Sequence, residues 1–492
     1  MTSPADVAQK TVRAALWAFV AATGKRVFTL VGLILLARIL APHDFGLLGF
    51  SMLYITFAEM IGDFGSSMAL VYWPDRREDA AQTTFIINVI AGVFWCVVSL
   101  LLAPYIANFF HAPHGIAIVR ALSPALLIKF LGNTHDALAQ KDLRFRARTI
   151  PELSLSIGKA SIALVFAGFG FGAWSLVWGQ LGALAIWTIL LWITVPWRPE
   201  WRIPHGLFKP MLRYGRSIVT VNVLAAVMFD ADLVVVGRFL GVTALGLYQM
   251  AGRVPEATVM VMLWVVSKVL FPAFSNLHAA GEDLREAYLI AVRSISSLTL
   301  PASLGLFFLA KPIMLVFFGM KWVGAAPILK LLSLYIGIRS VDHHAGDVLK
   351  ATGRADMLAL LNLVKTVLIV PAVILGAMRS AVAVAGALTL VYAFATVITL
   401  MTAARVIRVP VTSILAAFAP SVKAATAMSV FLLAWVHWSQ TFPAIVQLVV
   451  GVAVGAMVSL ATLRFVDPQM FLWARATIFG RPTEEVLHIA AP

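Results

Sequence analysis

The chain has 492 residues, of which 61% are hydrophobic and 12% are charged, and its 38 Lys and Arg against 23 Asp and Glu give a net charge of +15. Soluble domains carry about 25% charged residues, whereas this chain repeats apolar runs long enough to cross the ~30 Å hydrocarbon core of a bilayer, which excludes a soluble protein. The basic excess does not indicate a nucleic-acid partner, because no hydrophilic stretch is long enough to form a binding domain and the basic residues fall in short loops.

The apolar runs predict an all-α polytopic membrane protein with about fourteen helices. They are continuous rather than alternating, which excludes a membrane β-barrel. A tail over 467–492 either lies on the membrane surface or is a disordered end. The predicted helices lie near residues 14–40, 45–72, 83–109, 116–138, 151–170, 172–195, 214–237, 245–271, 287–310, 325–348, 355–377, 381–403, 411–437 and 442–465.

The loop charges predict the orientation of these helices. One side, which includes both termini, carries 21 basic residues in its loops and the opposite side carries 5. Basic loops stay on the cytoplasmic side, so we expect both termini to be cytoplasmic. Adding or removing two helices near the C-terminus preserves the alternation, which leaves a count of twelve or fourteen open.

A repeat at a spacing of 200 residues predicts two lobes. The stretch from Gly32 to Val71 is echoed by VVGRFLGVTALGLY from Val235 to Tyr248. Parallel repeats of this kind hold a substrate between two halves that rock. The predicted organisation is an N-terminal lobe of six helices (1–195), a basic cytoplasmic linker (196–213), a second six-helix lobe (214–405), two extra helices (406–466) and a cytoplasmic tail (467–492).

Charged residues occur inside the apolar runs, where each costs about 2.5–3.5 kcal/mol at the bilayer centre. Any one of them can be explained by snorkelling to the interface or by structural pairing. As a set they favour a hydrated cationic cavity. The basic members are Lys25, Arg26, Arg120, Lys129, Lys159, Arg253, Lys268, Arg293, Lys330, Arg339, Lys365 and Lys423.

Two sets of candidate site residues follow from these charges. Arginine grips phosphate oxygens in pairs, so a diphosphate headgroup is the expected ligand of Lys25, Arg26, Arg120, Arg253, Arg293 and Arg339. Acidic and histidine side chains carry protons or bind sodium, which gives the ion-coupling candidates Glu59, Asp63, Asp230, Asp232, Asp342, His343 and Asp347. Helical spacing puts Arg339, His343 and Asp347 on one stripe, and Arg253 and Glu256 are three residues apart and able to pair.

No catalytic or cofactor site is predicted. Asp230-Ala231-Asp232 resembles a metal-binding acidic pair of sugar transferases, but it lies in a predicted membrane helix without a nucleotide-binding domain. His343 and His344 point about 100° apart on a helix and are poor joint metal ligands. The single Cys96 lies in an apolar run, and no phosphate-binding loop or nucleophile–base arrangement is present.

The motif ARILAPHDFG, from Ala37 to Gly46, followed by Asp63-Phe64-Gly65, resembles the polysaccharide transporter branch of the multidrug/oligosaccharidyl-lipid/polysaccharide (MOP) exporter superfamily, in particular the Wzx-type flippases. The resemblance implies a V-shaped pair of six-helix lobes around a cationic cavity in a bacterial inner membrane, often with ion-coupled transport. It implies an undecaprenyl-diphosphate-linked oligosaccharide as substrate, membrane lipid as a partner and no cofactor, and it leaves open a polysaccharide polymerase and export machinery as further partners.

Two alternatives remain at this point. A multidrug/cation antiporter of the same superfamily favours an acidic, aromatic-lined cavity, which the basic excess in the helices opposes. A membrane-embedded polysaccharide polymerase or ligase needs a sizeable outside loop for its reacting groups, whereas the longest outside connection, around residues 311–324, is short and apolar.

Overall fold

A computed structural model describes residues 28–73, 76–200, 202, 204, 206–280 and 283–468, and all regular structure in these ranges is helical. A π-helical turn, Met314–Phe318, and a 3₁₀ turn, Met320–Ala325, lie between the helices that end at Ile313 and begin at Ala326. The helices are α1 Phe28–Ile39, α2 Pro42–Gly62, α3 Ser66–Tyr72, α4 Arg77–Phe109, α5 Gly115–Lys141, α6 Phe145–Gly168, α7 Ala173–Thr194, α8 Phe208–Ala279, α9 Arg285–Phe308, α10 Ala310–Ile313, α11 Ala326–Ala351, α12 Ala355–Ala377, α13 Ala381–Val406, α14 Val411–Trp438 and α15 Ala444–Val466.

The helices confirm the prediction of an all-α membrane fold. Twelve segments of the described chain are long and apolar enough to span a bilayer. One of them lies in α8, which bends at Gly241 into residues 208–240 and 242–279. Gly241 has φ 84° and ψ 174°, a conformation that side chains disfavour, so a glycine ends the first part of α8 without strain. Counting both parts of α8, together with α1, gives a helix within each of the fourteen predicted segments, although residues 14–27 of the first segment lie outside the described residues.

The chain forms two compact units. Unit 1 comprises the described residues up to Asp230 together with Gly237–Gly246, and unit 2 comprises Ala231–Val236 and the described residues from Leu247 onward. The boundaries that the sequence predicts for the lobes, the linker and the tail remain a prediction. Residues 469–492 of the predicted tail lie outside the described residues.

The core of unit 1 includes part of the predicted linker. Trp197 is buried with its ring edge-on to Phe85 at 5.7 Å, and its Nε1 donates a hydrogen bond to Glu78 Oε1 at 2.6 Å. Leu207 and Met211 are buried in the same cluster. The start and end of this segment are therefore packed onto α4 and α5 rather than forming a free tether.

Unit 1 also contains a reciprocal contact between the two echoed segments. A Cβ added to Gly46 would overlap the carbonyl oxygen of Val242, and a Cβ added to Gly246 would overlap that of Pro42. His43 Nδ1 lies 3.3 Å from Thr243 Oγ1, so the equivalent positions 43 and 243 meet each other. The 200-residue repeat thus positions two glycines that allow backbone-to-backbone packing.

In unit 2, α11 packs against α9, α12 and α13, and the predicted extra helices α14 and α15 pack onto each other and onto α9. The end of α15 is held by Arg293 of α9, whose Nε lies 2.5 Å from Oδ2 of the buried Asp467. Ser421 of α14 shares hydrogen bonds with Ser296 and Ser297 of α9, at 2.8 and 2.9 Å.

Candidate functional site

The candidate site in unit 2 is built around Arg339, in the middle of α11. Its guanidinium carbon lies 6.0 Å from the ring centre of Tyr335, one turn earlier on the same helix. Glu256 of α8 is close enough to interact with it electrostatically. Tyr335 in turn meets Tyr392 of α13 edge-on, with ring centres 4.8 Å apart. Arginine on aromatic faces keeps its charge while losing water, so this cation is retained within a protein environment.

A buried ion pair lies on the next turn of α11. The ammonium of Lys365, from α12, is 2.6 Å from both carboxylate oxygens of Asp342. Lys365 is buried, and its Nζ lies 5.7 Å from the ring centre of Tyr392. Asp342 is one of the ion-coupling candidates that the sequence predicts. Its partner, Lys365, is one of the basic residues that lie inside the apolar runs.

Asp232 is another buried charged group of unit 2. Tyr248 donates its hydroxyl to Asp232 Oδ2 at 2.8 Å, and the backbone N–H of Leu233 donates to Oδ1 at 2.9 Å. Asp232 also interacts electrostatically with Tyr335, which connects it to the surroundings of Arg339. Asp230, two residues earlier, is half-buried and belongs to unit 1.

The far end of α11 carries a cluster of histidines and Asp347. His343 Nε2 and His344 Nδ1 lie 3.8 and 3.6 Å from Asp347 Oδ2, and Lys350 Nζ lies 3.2 Å from Oδ1. His343 and Asp347, two of the three residues of the predicted stripe, thus lie close together, while the stripe's role as a site stays a prediction. In the ranges that the structure describes, no group of three or more histidine, cysteine or acidic side chains is placed to hold a metal ion.

Unit 1 has its own ion pair at the end of α2. Lys129 of α5 lies 2.5 Å from Glu59 Oε2, and the carboxylate of Glu59 is mostly buried. Asp63 follows α2 and accepts a hydrogen bond from the Gly65 backbone N–H at 2.9 Å, while interacting electrostatically with Lys129. The predicted candidates Glu59 and Asp63 thus share one lysine.

The remaining predicted cations lie in different surroundings. Lys25 and Arg26 lie outside the described residues. Arg120 and Arg253 are exposed on α5 and α8. Arg293 is paired with Asp467. Of the six predicted phosphate ligands, Arg339 is the one that the described residues show within a polar and aromatic cluster.

Sequence reasoning did not select Lys129, Lys365, Tyr248, Tyr335 or Tyr392 as site residues. The two lysines were visible as charges in apolar runs, but their partners lie on other helices, 70 and 23 residues away. The tyrosines gave no signal in a chain rich in aromatics. The four-residue spacing of Tyr335 and Arg339 is the one local pattern that indicates part of the cluster.

Comparison with known proteins identifies the family. A family model described as "polysaccharide biosynthesis protein" matches residues 35–327, which is more than half of the chain. The chain belongs to the polysaccharide biosynthesis protein family. This result confirms the resemblance drawn from the ARILAPHDFG motif, which begins at the edge of the matched region.

Curated relatives of this family member are transport and biosynthesis proteins. It is 28% identical to the lipopolysaccharide biosynthesis protein WzxC of Escherichia coli over 370 residues, which is 75% of each chain. It is also 28% identical to the succinoglycan biosynthesis transport protein ExoT of Rhizobium meliloti over 363 residues, 73% of each chain. These names agree with the prediction of a transporter rather than an enzyme.

Solved structures confirm the fold. The lipid II flippase MurJ in an inward closed conformation superposes with a TM-score of 0.71 at 14% identity, covering 92% of this chain and 99% of MurJ. An inward-facing multidrug resistance MATE transporter of the MOP superfamily superposes with a TM-score of 0.64 at 13% identity, covering 78% and 94%. This member of the polysaccharide biosynthesis protein family therefore has the fold that MurJ and the MATE transporter share, and its twelve long apolar segments support a multi-pass membrane protein.

Proposed function

We propose that the protein is a flippase that moves undecaprenyl-diphosphate-linked oligosaccharide units across the bacterial inner membrane for exopolysaccharide or lipopolysaccharide synthesis. The membership of residues 35–327 in the polysaccharide biosynthesis protein family carries this proposal. The transport names of the relatives and the flippase fold agree with it.

The chemistry of the substrate agrees with the charges in the helices. A diphosphate with several sugars cannot cross hydrocarbon unaided, because each charged or polar group loses its hydration there. A polyprenyl tail is apolar and can remain in the lipid throughout. The protein then needs cations for the headgroup, and in this proposal Arg339, Arg120, Arg253 and Arg293 supply them together with Lys25 and Arg26.

Alternating access is the proposed mechanism. The transporter exposes its cationic cavity to one leaflet and then to the other, which requires two conformations within a few kcal/mol of each other. The loop charges support an orientation with both termini in the cytoplasm, so that the headgroup is collected from the cytoplasmic leaflet.

The test is a reconstituted translocation assay with a fluorescent polyprenyl-diphosphate sugar. We expect wild type to move the lipid, Arg339→Ala to slow it at least about tenfold through loss of one charge-assisted phosphate contact, and Arg339→Lys to retain part of the rate. Arg379→Ala removes a cation from the exposed turn between α12 and α13 and is the matched control. Equal rates for the two alanine variants would contradict the role of Arg339.

A further inference from the structure

The first turns of α8 pack on unit 1 in one fixed rotation. A Cβ added to Gly215 would overlap the backbone carbonyl oxygen that precedes Gly65, and a Cβ added to Gly65 would overlap backbone atoms of Gly215. Leu207 and Met211, on the turns before Gly215, are buried in the core of unit 1. One face of this part of α8 is therefore held against unit 1, which also fixes the face that points away from it.

The face of α8 that points away from unit 1 begins with three cations. Lys209, Arg213 and Arg216 lie about 140–200° around the helix from the buried Met211, and all three are exposed. They are four and three residues apart, a spacing that makes neighbouring side chains adjacent on a helix surface. Membrane orientation asks for basic residues at this end of the helix but not for their alignment on one face. We call these three residues the α8 stripe.

The α8 stripe has no counter-charge in unit 1. Within the part of the chain that the structure describes, no hydrogen bond or ion pair involves the side chains of its three members. Other cations of unit 1 on the same side of the membrane are paired, as Arg77 is with Asp142 at 2.7 Å and Arg148 with Asp136 at 3.0 Å. The charges of the α8 stripe are therefore available to an anionic partner.

The same face of α8 becomes apolar toward the middle of the membrane. Thr220 and Leu224 follow Arg216 at helical spacing, and Leu224 is 51% exposed. The eight residues from Arg216 to Leu224 span about 12 Å. The neighbouring Val221 is also exposed. This face therefore presents cations at the cytoplasmic end and apolar side chains beyond them, which is the order of charge and hydrocarbon in an anionic lipid.

We propose that the α8 stripe binds the diphosphate of the lipid-linked sugar in the cytoplasmic leaflet, before the headgroup enters the cavity. This inference rests on the proposed function, since it names the place where the substrate of the flippase is first bound. Arginine takes phosphate oxygens in pairs, and the two linked phosphates of one headgroup reach neighbouring cations of the stripe together. A phospholipid with a single phosphate meets one cation at a time. Charge complementarity therefore favours the diphosphate over the surrounding phospholipids.

The orientation of the stripe also matches the substrate. Because α8 spans the membrane, its cations follow one another along the membrane normal, from the headgroup layer toward the cytoplasm. A lipid-linked oligosaccharide extends in the same direction, with its diphosphate next to the tail and its sugars farther from the bilayer. The prenyl tail then lies beside Val221 and Leu224 while the diphosphate contacts the stripe.

The test places a fluorophore beside the stripe, so that binding there is measured separately from binding elsewhere and from transport. Full-length protein with Cys96→Ala and Thr220→Cys is labelled with bimane at position 220, which is exposed on the same face. The probe is a polyprenyl-diphosphate sugar whose sugar carries a nitroxide, a short-range quencher. We expect saturable quenching that weakens as the salt concentration rises, because the contacts are electrostatic and exposed.

Two variants with the same loss of charge are compared in this background. Glutamine at all three positions of the stripe is expected to raise the half-saturating probe concentration at least about tenfold, the effect of losing charge-assisted phosphate contacts. The matched control removes three exposed cations from other basic loops and is expected to change that concentration by less than about twofold at about 0.15 M salt. The stripe variant carries Lys209→Gln, Arg213→Gln and Arg216→Gln, and the control carries Arg146→Gln, Arg354→Gln and Arg405→Gln.

Competition identifies the source of the phosphate. Unlabelled polyprenyl-diphosphate sugar is expected to relieve the quenching at least about tenfold more effectively than phosphatidylglycerol, which offers a single phosphate, or inorganic pyrophosphate, which has no tail. Phosphatidylglycerol that competes equally well would show a surface for any anionic lipid and would overturn the proposal. Pyrophosphate that competes equally well would overturn the part assigned to the apolar end of the face.

The remaining outcomes separate this inference from the flippase function. Absent quenching, or an equal effect of the stripe variant and its control, overturns the binding role of the stripe. A wild type that moves the lipid without quenching at position 220 overturns the stripe and leaves the flippase function standing. A wild type that binds the probe at the stripe but moves no lipid in vesicles overturns the flippase function and supports the binding site.

Discussion

At the scale of single residues, several of the charges inside the membrane helices have specific partners, and the Asp342–Lys365 pair gives the sharpest prediction. Lys365→Met leaves the carboxylate of Asp342 without its ammonium, so we expect a loss of about 3–5 kcal/mol in the free energy of unfolding. Adding Asp342→Asn removes the second charge and is expected to recover most of that loss. A double-mutant cycle of unfolding measured in detergent checks this, and two additive losses would contradict the pairing.

The hydrogen bond from Tyr248 to Asp232 gives a second prediction at this scale. Tyr248→Phe removes the hydroxyl that donates a 2.8 Å hydrogen bond to the buried Asp232 carboxylate. We expect the free energy of unfolding to fall by about 1–3 kcal/mol. Tyr105→Phe, at a tyrosine 72% exposed, is the control and is expected to change stability by less than about 0.5 kcal/mol. Thermal unfolding of the two variants, measured in parallel, tests this prediction. Equal shifts in melting temperature would contradict a stabilising role for the Tyr248 hydroxyl.

The sequence predicts which buried residues are charged, but it does not predict which of them form pairs. The charges at Asp342 and Lys365 are visible in the sequence, because ionisable residues are rare in apolar runs. Their pairing is not visible, because it depends on the packing of α11 against α12. The contact of Arg293 with Asp467 joins positions 174 residues apart and is equally hidden from local pattern.

At the scale of helices, the reciprocal glycine contact in unit 1 makes a steric prediction. The methyl group of Gly46→Ala or Gly246→Ala would overlap a backbone carbonyl, which cannot turn away as a side chain can, so a loss of about 1–3 kcal/mol is expected. Gly305→Ala in α9 places its methyl group in open space and is expected to stabilise by about 0.5–1 kcal/mol. We expect the melting temperature to fall for Gly46→Ala and Gly246→Ala and to rise for Gly305→Ala. A change in the same direction for all three variants would contradict the glycine contact.

Helix positions were predictable because each apolar run is long and a membrane offers few alternatives to a helix. The break at Pro42 and the bend at Gly241 also follow from residue type and from the 200-residue echo. The packing of Trp197 against Phe85 was not predictable, because a basic, proline-rich segment indicates a linker. Nothing in the local sequence shows that Trp197 is buried or that it donates a hydrogen bond to Glu78.

At the scale of the whole molecule, the loop charges predict which ends of the helices face the cytoplasm. In a background of Cys96→Ala, Arg379→Cys is expected to react with a membrane-impermeant maleimide from the periplasmic side of spheroplasts. Arg354→Cys is expected to react only after the membrane is permeabilised, because its loop belongs to the basic side. Labelling of Arg354→Cys in intact spheroplasts would invert the predicted orientation.

For the whole molecule, we propose that this protein moves a lipid-linked, diphosphate-bearing sugar. The most direct measurement reconstitutes the purified protein and follows two probes in parallel: a fluorescent polyprenyl-diphosphate sugar and an ethidium-like cation. We expect the lipid to change leaflet only in vesicles that contain the protein, and the cation to distribute equally in vesicles with and without it. Transport of the cation without movement of the lipid, or polymer formed from the lipid-linked sugars, would contradict it.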